Sequence, residues 1–343
     1  MTSPLPDLLA IAPGRRAAVE RIAAELRPGR VVALSTHINA DGDGCGSEAA
    51  LARLLAQRGL SARIVNPTPW PAMFGFLLEG VDDRSAQGVR ALDDVDLLMV
   101  VDINDVRRLG GLADGVRART GPRIVIDHHV PGDEPAGELV LADTTACATG
   151  ELVFDFARVL DLTLTPEIAR SLYTAILTDT GGFRFSNTSP RCHAVAGQLL
   201  AAGVDPEEMY RRIYASVSVG RLQIVREALE SLTVDAEHGL SWVALTAGAL
   251  ERHHVRPEEL DGIAEYPRSV AGTRMGIFFR ELGHGQVKTS FRSTGEVDVN
   301  RFARLFGGGG HARAAGALIA GSLDDVRERV LRAARDFMNH RDG

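Results

Sequence analysis

The chain has 343 residues, 45% of them hydrophobic, 24% charged and 5% aromatic, and a formal net charge of −7. That length suffices for two domains with separate cores. The acidic balance excludes broad binding to duplex DNA, which needs a clustered basic face, and no apolar run nears the ~18 residues that cross a bilayer, so neither a membrane span nor a membrane partner is expected.

The first residues, Met1-Thr2-Ser3-Pro4-Leu5-Pro6-Asp7, carry neither the basic stretch nor the apolar core of a secretory signal, and a cytoplasmic location is expected. Cys45, Cys147 and Cys192 stand far apart without CxxC spacing. They read as small buried thiols rather than as a zinc knuckle or a disulfide framework.

Helical spacing of apolar positions runs over about 15–26, followed by a buried strand over 30–36. The loop after it, His37-Ile38-Asn39-Ala40-Asp41-Gly42-Asp43-Gly44, leads into a helix reaching about Arg58. A short strand, Ala62-Arg63-Ile64-Val65, is closed by Pro67 and Pro69, and two further apolar runs, 97–102 and 123–129, end in ligand-type residues. Strands that are apolar on both faces and alternate with helices predict an α/β fold with a mostly parallel sheet flanked by helices. Over 149–226 the signal is helical, broken by the loop Thr178-Asp179-Thr180-Gly181-Gly182-Phe183.

Near residue 230 the texture changes: 241–246, 273–282 and 286–292 alternate as strands, with Leu282-Gly283-His284-Gly285 as a hairpin turn. A second, smaller α+β domain is expected over 230–343, after a first domain over 1–229, with an interdomain active-site cleft. The second domain carries Phe306-Gly307-Gly308-Gly309-Gly310-His311, a helix before that segment and another over about 323–340.

Four segments end a strand or open a loop with metal-type ligands: His37/Asp41/Asp43, Asp102, Asp127-His128-His129 and Asp179. In a parallel sheet the carboxyl ends of three of these strands gather on one edge, where open α/β sheets bind ligands. Carboxylates with a minority of imidazoles suit a hard or borderline divalent ion such as Mn²⁺ or Mg²⁺, and the lack of thiolates argues against structural zinc. Even six ligands out of these eight residues exceed what one such ion takes while keeping a substrate position open; they suit two. Two ions about 3.5–4 Å apart share a hydroxide nucleophile and neutralise a phosphoryl transition state, so phosphoester hydrolysis is the expected reaction class. Each segment alone has an ordinary reading as a polar turn, a helix N-cap or a strand end, and the pair His253-His254 reads as part of a solvated helix. Only the four segments together point to metal.

These segments resemble the successive motifs of the DHH phosphoesterases: His37-Ile38-Asn39-Ala40-Asp41-Gly42-Asp43, Asp102 followed by Arg108-Leu109-Gly110, Asp127-His128-His129, and Asp179-Thr180-Gly181. Gly308-Gly309-Gly310-His311 followed by Ala314-Ala315-Gly316 resembles the signature of their DHHA1 substrate domain. The likeness runs over about 31–316. In length and domain pairing it is most similar to the nanoRNase/pAp-phosphatase group, which includes actinobacterial enzymes acting on cyclic di-AMP. It implies two Mn²⁺ ions, with Mg²⁺ or Co²⁺ as substitutes: His37 and Asp41 on one, Asp43, His128 and Asp179 on the other, and Asp102 bridging. It implies further that His129 contacts the scissile phosphate and that Asp127 orients a neighbouring histidine, so that His129, Asp102 and Asp127 are the catalytic candidates. Ala40 stands where the family commonly has proline, and Gly44-Cys45 where alanine and an aliphatic residue are usual; these departures leave every ligand in place.

The second domain reads as the selector. Residues 307–310, Gly309 and Gly310 among them, allow close backbone approach and offer N–H groups to an anion, and His311 adds a donor or a stacking face. Ser290 and Arg292, two apart on a strand, share a face, and an arginine fork matches a terminal phosphate. Arg184, just after the Asp179 loop, is a further candidate phosphate contact. The expected substrates are short oligoribonucleotides (nanoRNA), linear pApA, cyclic di-AMP and 3′-phosphoadenosine 5′-phosphate (pAp). The helical stretch over 149–226 offers a face for a homodimer. Three rivals stand beside this reading. A RecJ-like single-strand exonuclease needs a basic channel, an inorganic pyrophosphatase has a different C-terminal domain, and a non-catalytic nucleotide sensor would be favoured by missing ligands.

Overall fold

The computed structural model describes residues 7–260, 262–295 and 297–339. Residues 1–6, on which most of the N-terminal reading rests, and His340, the expected end of the last helix, lie outside the described residues. By its contacts the chain falls into two units, Met1–Ala215 and Ser216–Gly343.

The first unit is built on β1 (Val31–Ser35), β2 (Ser61–Ile64), β3 (Asp82–Asp83), β4 (Leu97–Val101), β5 (Arg123–Asp127) and β6 (Leu139–Ala142). They form one sheet in the order β3-β2-β1-β4-β5-β6, with every pairing parallel. Around it lie α1 (Pro13–Ala23), α2 (Gly42–Gln57), α3 (Ala113–Ala118), α4 (Thr149–Val159), α5 (Pro166–Asp179), α6 (Pro190–Ala201) and α7 (Pro206–Ile213). A proline in the first turn opens α1, α5, α6 and α7, where its fixed φ suits the helix and its missing N–H costs nothing. Alternate strand residues enter opposite cores. Val32, Leu34, Met99 and Val101 pack with α1, α2, α4, α5 and α6, whereas Ala33, Leu98 and Val100 pack with α3 and the segments before it. This two-sided burial is why the strands read as unbroken apolar runs.

From β1 the chain winds one way to β2 and β3, then returns to β4 and winds the other way to β5 and β6. Such a reversal leaves a crevice at the carboxyl ends of the strands, and it falls between β1 and β4, whose following loops carry His37 and Asp102. The edge strands β3 and β6 are absent from the sequence reading: β3 is two exposed aspartates, and β6, although apolar, has only four residues.

The second unit contains α8 (Val219–Glu230), β7 (Thr233–Asp235), β8 (Leu240–Leu245), α9 (Ala249–His253), α10 (Glu265–Arg268), β9 (Met275–Gly283), β10 (Gln286–Ser293), α11 (Val299–Arg304), β11 (Gly309–His311), β12 (Ala314–Ala320) and α12 (Leu323–Asn339). Its sheet runs β11-β12-β10-β9-β8-β7, antiparallel except between β8 and β9. One core lies under α11 and α12 and another under α8 and α9. Ile224, Val225 and Ala228 of α8 pack with Val243 and Leu245 of β8. This helix, read from sequence as the end of the first domain, thus belongs by its contacts to the second unit; an unbroken helical signal does not reveal where the partner core changes. No helix among the described residues is long and apolar enough to cross a membrane.

Candidate metal centre

His37 stands two residues beyond the end of β1 and Asp102 one residue beyond β4. His37 Nε2 lies 3.3 Å from Asp102 Oδ2 and 3.7 Å from Asp41 Oδ2, while its Nδ1 donates to the Ile38 carbonyl at 2.9 Å. Burial disfavours charge on this imidazole, but the hydrogen bonds to Asp102 and Asp41 outweigh it and raise its pKa to about 10. Two carboxylates thus demand positive charge at Nε2, which a proton or a metal ion can supply. Asp102 is buried in the left-handed region at φ +62°, which aspartate tolerates better than most residues and which clusters at functional sites. Its Oδ1 accepts from Thr149 Oγ1 at 3.1 Å and lies 3.8 Å from His128 Nε2.

The neighbouring acids hold helix ends as well as facing the site. Asp41 Oδ1 caps α2, accepting from the N–H groups of Asp43 at 3.0 Å and Gly44 at 3.1 Å, and leaves Oδ2 on the His37 side. Asp43 caps α4 from a different helix, accepting from Thr149 N at 2.7 Å and Gly150 N at 2.9 Å; Ala148, the N-cap residue of α4, has no side chain to do so. Two glycines permit this meeting of helix ends. A Cβ at Gly42 would stand 2.4 Å from Thr178 Oγ1, and one at Gly150 2.5 Å from Ala175 Cβ. The start of α2, the start of α4 and the end of α5 therefore converge, and His128 Nε2 lies 3.7 Å from both Asp43 Oδ2 and Asp179 Oδ2.

The donors fit a divalent cation. His128 Nδ1 lies 3.3 Å from the Ala146 carbonyl, which can only accept, so the proton belongs there and Nε2 presents a lone pair. That Nε2 is buried without a hydrogen-bond partner, and the oxygens nearest it belong to Asp43, Asp179 and Asp102. A lone pair facing three carboxylates is costly in a buried site unless a cation sits among them. The acids report the same tension. Burial, then the charges of Asp102, Asp179 and Asp41, push the Asp43 carboxyl well up; burial, opposed by His128 and reinforced by Asp102 and Asp41, brings Asp179 to about 6. Among the described residues three groups have all their donor atoms within 4.8 Å of one another: His37/Asp41/Asp102, Asp43/His128/Asp179 and Asp102/His128/His129. All are oxygens or imidazole nitrogens, the set that hard and borderline divalent ions take. Cys45, Cys147 and Cys192 are buried free thiols.

Asp127 belongs to none of these three groups but is hydrogen-bonded to a member of one. It accepts from His129 Nδ1 at 2.7 Å and from Asn104 Nδ2, so the histidine it orients is His129. Burial lowers the tendency of His129 to carry charge, and the Asp127 hydrogen bond and Asp102 charge more than restore it. Arg184 is tied to the turn after Asp179, its Nε donating to the Gly181 carbonyl at 2.6 Å.

Residues 31–176 match the DHH family, N-terminal domain, and residues 241–340 match the DHHA1 domain. Over 309 residues the chain is 35% identical to the bifunctional oligoribonuclease and PAP phosphatase NrnA of Thermus thermophilus, covering 88% of this chain and 89% of that one. The chain belongs to the DHH family. It is a hydrolytic phosphoesterase of that family with DHH and DHHA1 domains. A protein of the same description in Bacillus subtilis is 28% identical over 88% of this chain and 92% of its own length. Among solved structures, an exopolyphosphatase-related protein from Bacteroides fragilis superposes with a TM-score of 0.85 at 25% identity, covering 94% of this chain and 98% of that one.

In the DHHA1 domain the register brings the expected residues together. Ser290 pairs with Gly316 and Gly316 with Gly309, while Arg292 pairs with Ala314 and Ala314 with His311. Ser290 and Arg292 are partly exposed, whereas Thr289, Phe291 and Ser293 between and beside them are buried. Gly310, at φ +147°, has no room for a Cβ, which would stand 2.6 Å from the Ala314 carbonyl oxygen. Arg292 is not free to swing: its Nε donates to Glu265 Oε1 at 2.9 Å, and Glu265 Oε2 accepts from Arg268 Nε at 2.6 Å.

Four supporting residues escaped the sequence reading. Asn104 holds Asp127, and Asn187 donates to Asp179 Oδ2 at 3.0 Å and to the Cys147 carbonyl at 2.8 Å. Thr149 binds Asp102, and Glu265 binds Arg292. Only Asn104, two residues after Asp102, had a local signal.

Proposed function

We propose that this chain hydrolyses phosphoester bonds in short oligoribonucleotides, pApA, cyclic di-AMP and 3′-phosphoadenosine 5′-phosphate, using two Mn²⁺ ions, in the cytoplasm and as a homodimer. The observation that carries the metal assignment is the buried, partnerless His128 Nε2 facing Asp43, Asp102 and Asp179. The substrate class rests on the relatives described as oligoribonucleases and PAP phosphatases.

His37 and Asp41 hold one ion, Asp43, His128 and Asp179 the other, and Asp102 lies between the two donor groups. Bound there, two divalent ions supply a nucleophile from water and neutralise phosphoryl charge. His129, its Nδ1 tied to Asp127, keeps Nε2 for a phosphoryl oxygen. Arg292, aligned by Glu265, offers its remaining guanidinium N–H groups to a terminal phosphate, beside Ser290, His311 and the backbone of Gly309 and Gly310. Arg184 offers a second contact near the Asp179 turn.

The test offers purified protein with Mn²⁺ the substrates pAp, pApA, cyclic di-AMP, a short RNA and pyrophosphate in parallel, with products resolved by chromatography. Release of AMP from pApA, pAp or the short RNA, and no turnover of pyrophosphate, is the expected result. Cleavage of long single strands alone would favour an exonuclease instead, and tight nucleotide binding without product would favour a sensor.

A further inference from the structure

Beside the metal loop, the DHH domain has a cavity of about 420 Å³ lined by Pro67, Thr68, Pro69, Trp70, Asp83 and Ser85, among others. Its volume lies within the ~300–1,000 Å³ of small-molecule sites. It opens where β2 and β3 end, on the carboxyl edge of the sheet that also carries His37 and Asp102. It is joined to the His37 loop directly: the Asn39 N–H donates to Thr68 Oγ1 at 2.8 Å, and Ile38 and Pro67 both border Gly110.

The polar rim of this cavity is fixed. Ser85 donates to Asp83 Oδ1 twice, from its N–H at 2.9 Å and from Oγ at 2.6 Å, and Ser85 Oγ accepts from Asn66 N at 2.9 Å. The second oxygen of Asp83 has no hydrogen-bond partner among the described residues. Its apolar lining is Pro67, Pro69, Leu78, small residues and the partly exposed Trp70, and an indole and prolines offer flat faces on which a planar ring can stack. A carboxylate at the mouth disfavours an anionic group there and accepts hydrogen bonds, which suits a donor-bearing ring edge.

We propose that this cavity binds a nucleobase adjoining the scissile phosphate, stacked on Trp70, with Asp83 accepting from an exocyclic amino group. Adenine and cytosine present such a group, whereas uracil presents a carbonyl oxygen in its place. The chain thereby prefers amino-bearing bases at that position. The inference rests on the phosphoesterase reading for its substrate class, and its test reads binding separately from turnover.

The chain has two tryptophans, so Trp70 alone reports in a Trp242→Phe background. With Ca²⁺ in place of Mn²⁺, pApA quenches the Trp70 fluorescence at a concentration about tenfold lower than pUpU does, the order of size expected for one directed contact beside base stacking. Adding Asp83→Ala, which removes the acceptor, brings the two midpoints together. In a second variant, Trp70→Leu, the KM for pApA in Mn²⁺ rises about tenfold while kcat is retained. Absence of quenching, equal midpoints before Asp83 is changed, a preference for adenine that survives Asp83→Ala, or an unchanged KM in Trp70→Leu overturns the proposal. Failure of the unaltered protein to turn over pApA in Mn²⁺ strikes the phosphoesterase reading, while the fluorescence titration still decides the cavity.

Discussion

The two ends of the proposed machinery are built on opposite principles. In the DHH domain the donors come from four separate segments and are held by groups with a second structural task. Asp41 caps its own helix and Asp43 caps another, so the ligand geometry and the helix ends stand or fall together. In the DHHA1 domain the expected contacts lie on three adjacent strands in register, and Arg292 is aligned by one nearby acid, Glu265. The difference teaches where precision is stored. A metal centre depends on several elements meeting, whereas a recognition face is a local property of one sheet.

That contrast fixes the order of expected effects. Asp102→Asn should lower turnover about a thousandfold or more, since removing one charge from the proposed two-ion centre would cost several kcal/mol of transition-state stabilisation. Its fold should survive because asparagine also accepts the left-handed backbone at φ +62° and can still accept from Thr149. Steady-state kinetics in Mn²⁺ with circular dichroism checks both, and near-native turnover would remove Asp102 from the centre.

Asp127→Asn acts one step out, through His129. It should cost about 10- to 100-fold in kcat with KM little changed, as removal of an orienting carboxylate usually does. A pure rise in KM would place His129 in binding alone. Arg292→Ala should show the converse split, raising KM for pAp about tenfold or more through loss of a charge-assisted hydrogen bond while sparing kcat; an equal loss in both constants would break the division of labour between the domains.

The smallest effect concerns stability. Glu48 on α2 is fully buried, accepts from Asn66 Nδ2 at 2.8 Å, and Asn66 accepts in turn from the Thr36 N–H at 3.0 Å, one residue before His37. Burial, opposed by Asn66 and reinforced by Asp83, pushes its pKa up to about 8. The folded chain thus keeps this proton to about pH 8 while the unfolded chain releases it near 4.5, so stability is lost as pH rises through that window. Glu48→Gln cannot lose the proton. Its Tm relative to the unaltered protein should therefore be higher at pH 8 than at pH 5; a gap independent of pH would refute the assignment.

Much of this was legible in the residues. The unbroken apolar runs ending at Asp102 and Asp127 marked buried parallel strands, whose carboxyl ends share one sheet edge. The alternation over Gln286–Ser293 put Ser290 and Arg292 on one face. What stayed hidden depends on contacts distant in sequence. That Asp43 caps α4 across 106 positions, that Glu265 aligns Arg292, and that α8 packs on β8 leave no periodic trace, since a cap or an ion pair needs only one residue on each side. The reversal of strand order between β1 and β4 was equally unreadable, because pairing order is set by packing of helices on the sheet rather than by any strand alone.

Anomalous diffraction from crystals grown with Mn²⁺ tests the central claim most directly. The account predicts two peaks per chain, roughly 3.5–4 Å apart, one beside His37 and Asp41, the other beside Asp43, His128 and Asp179, with Asp102 touching both. A single peak, or a pair that leaves His128 Nε2 without a metal, would contradict it.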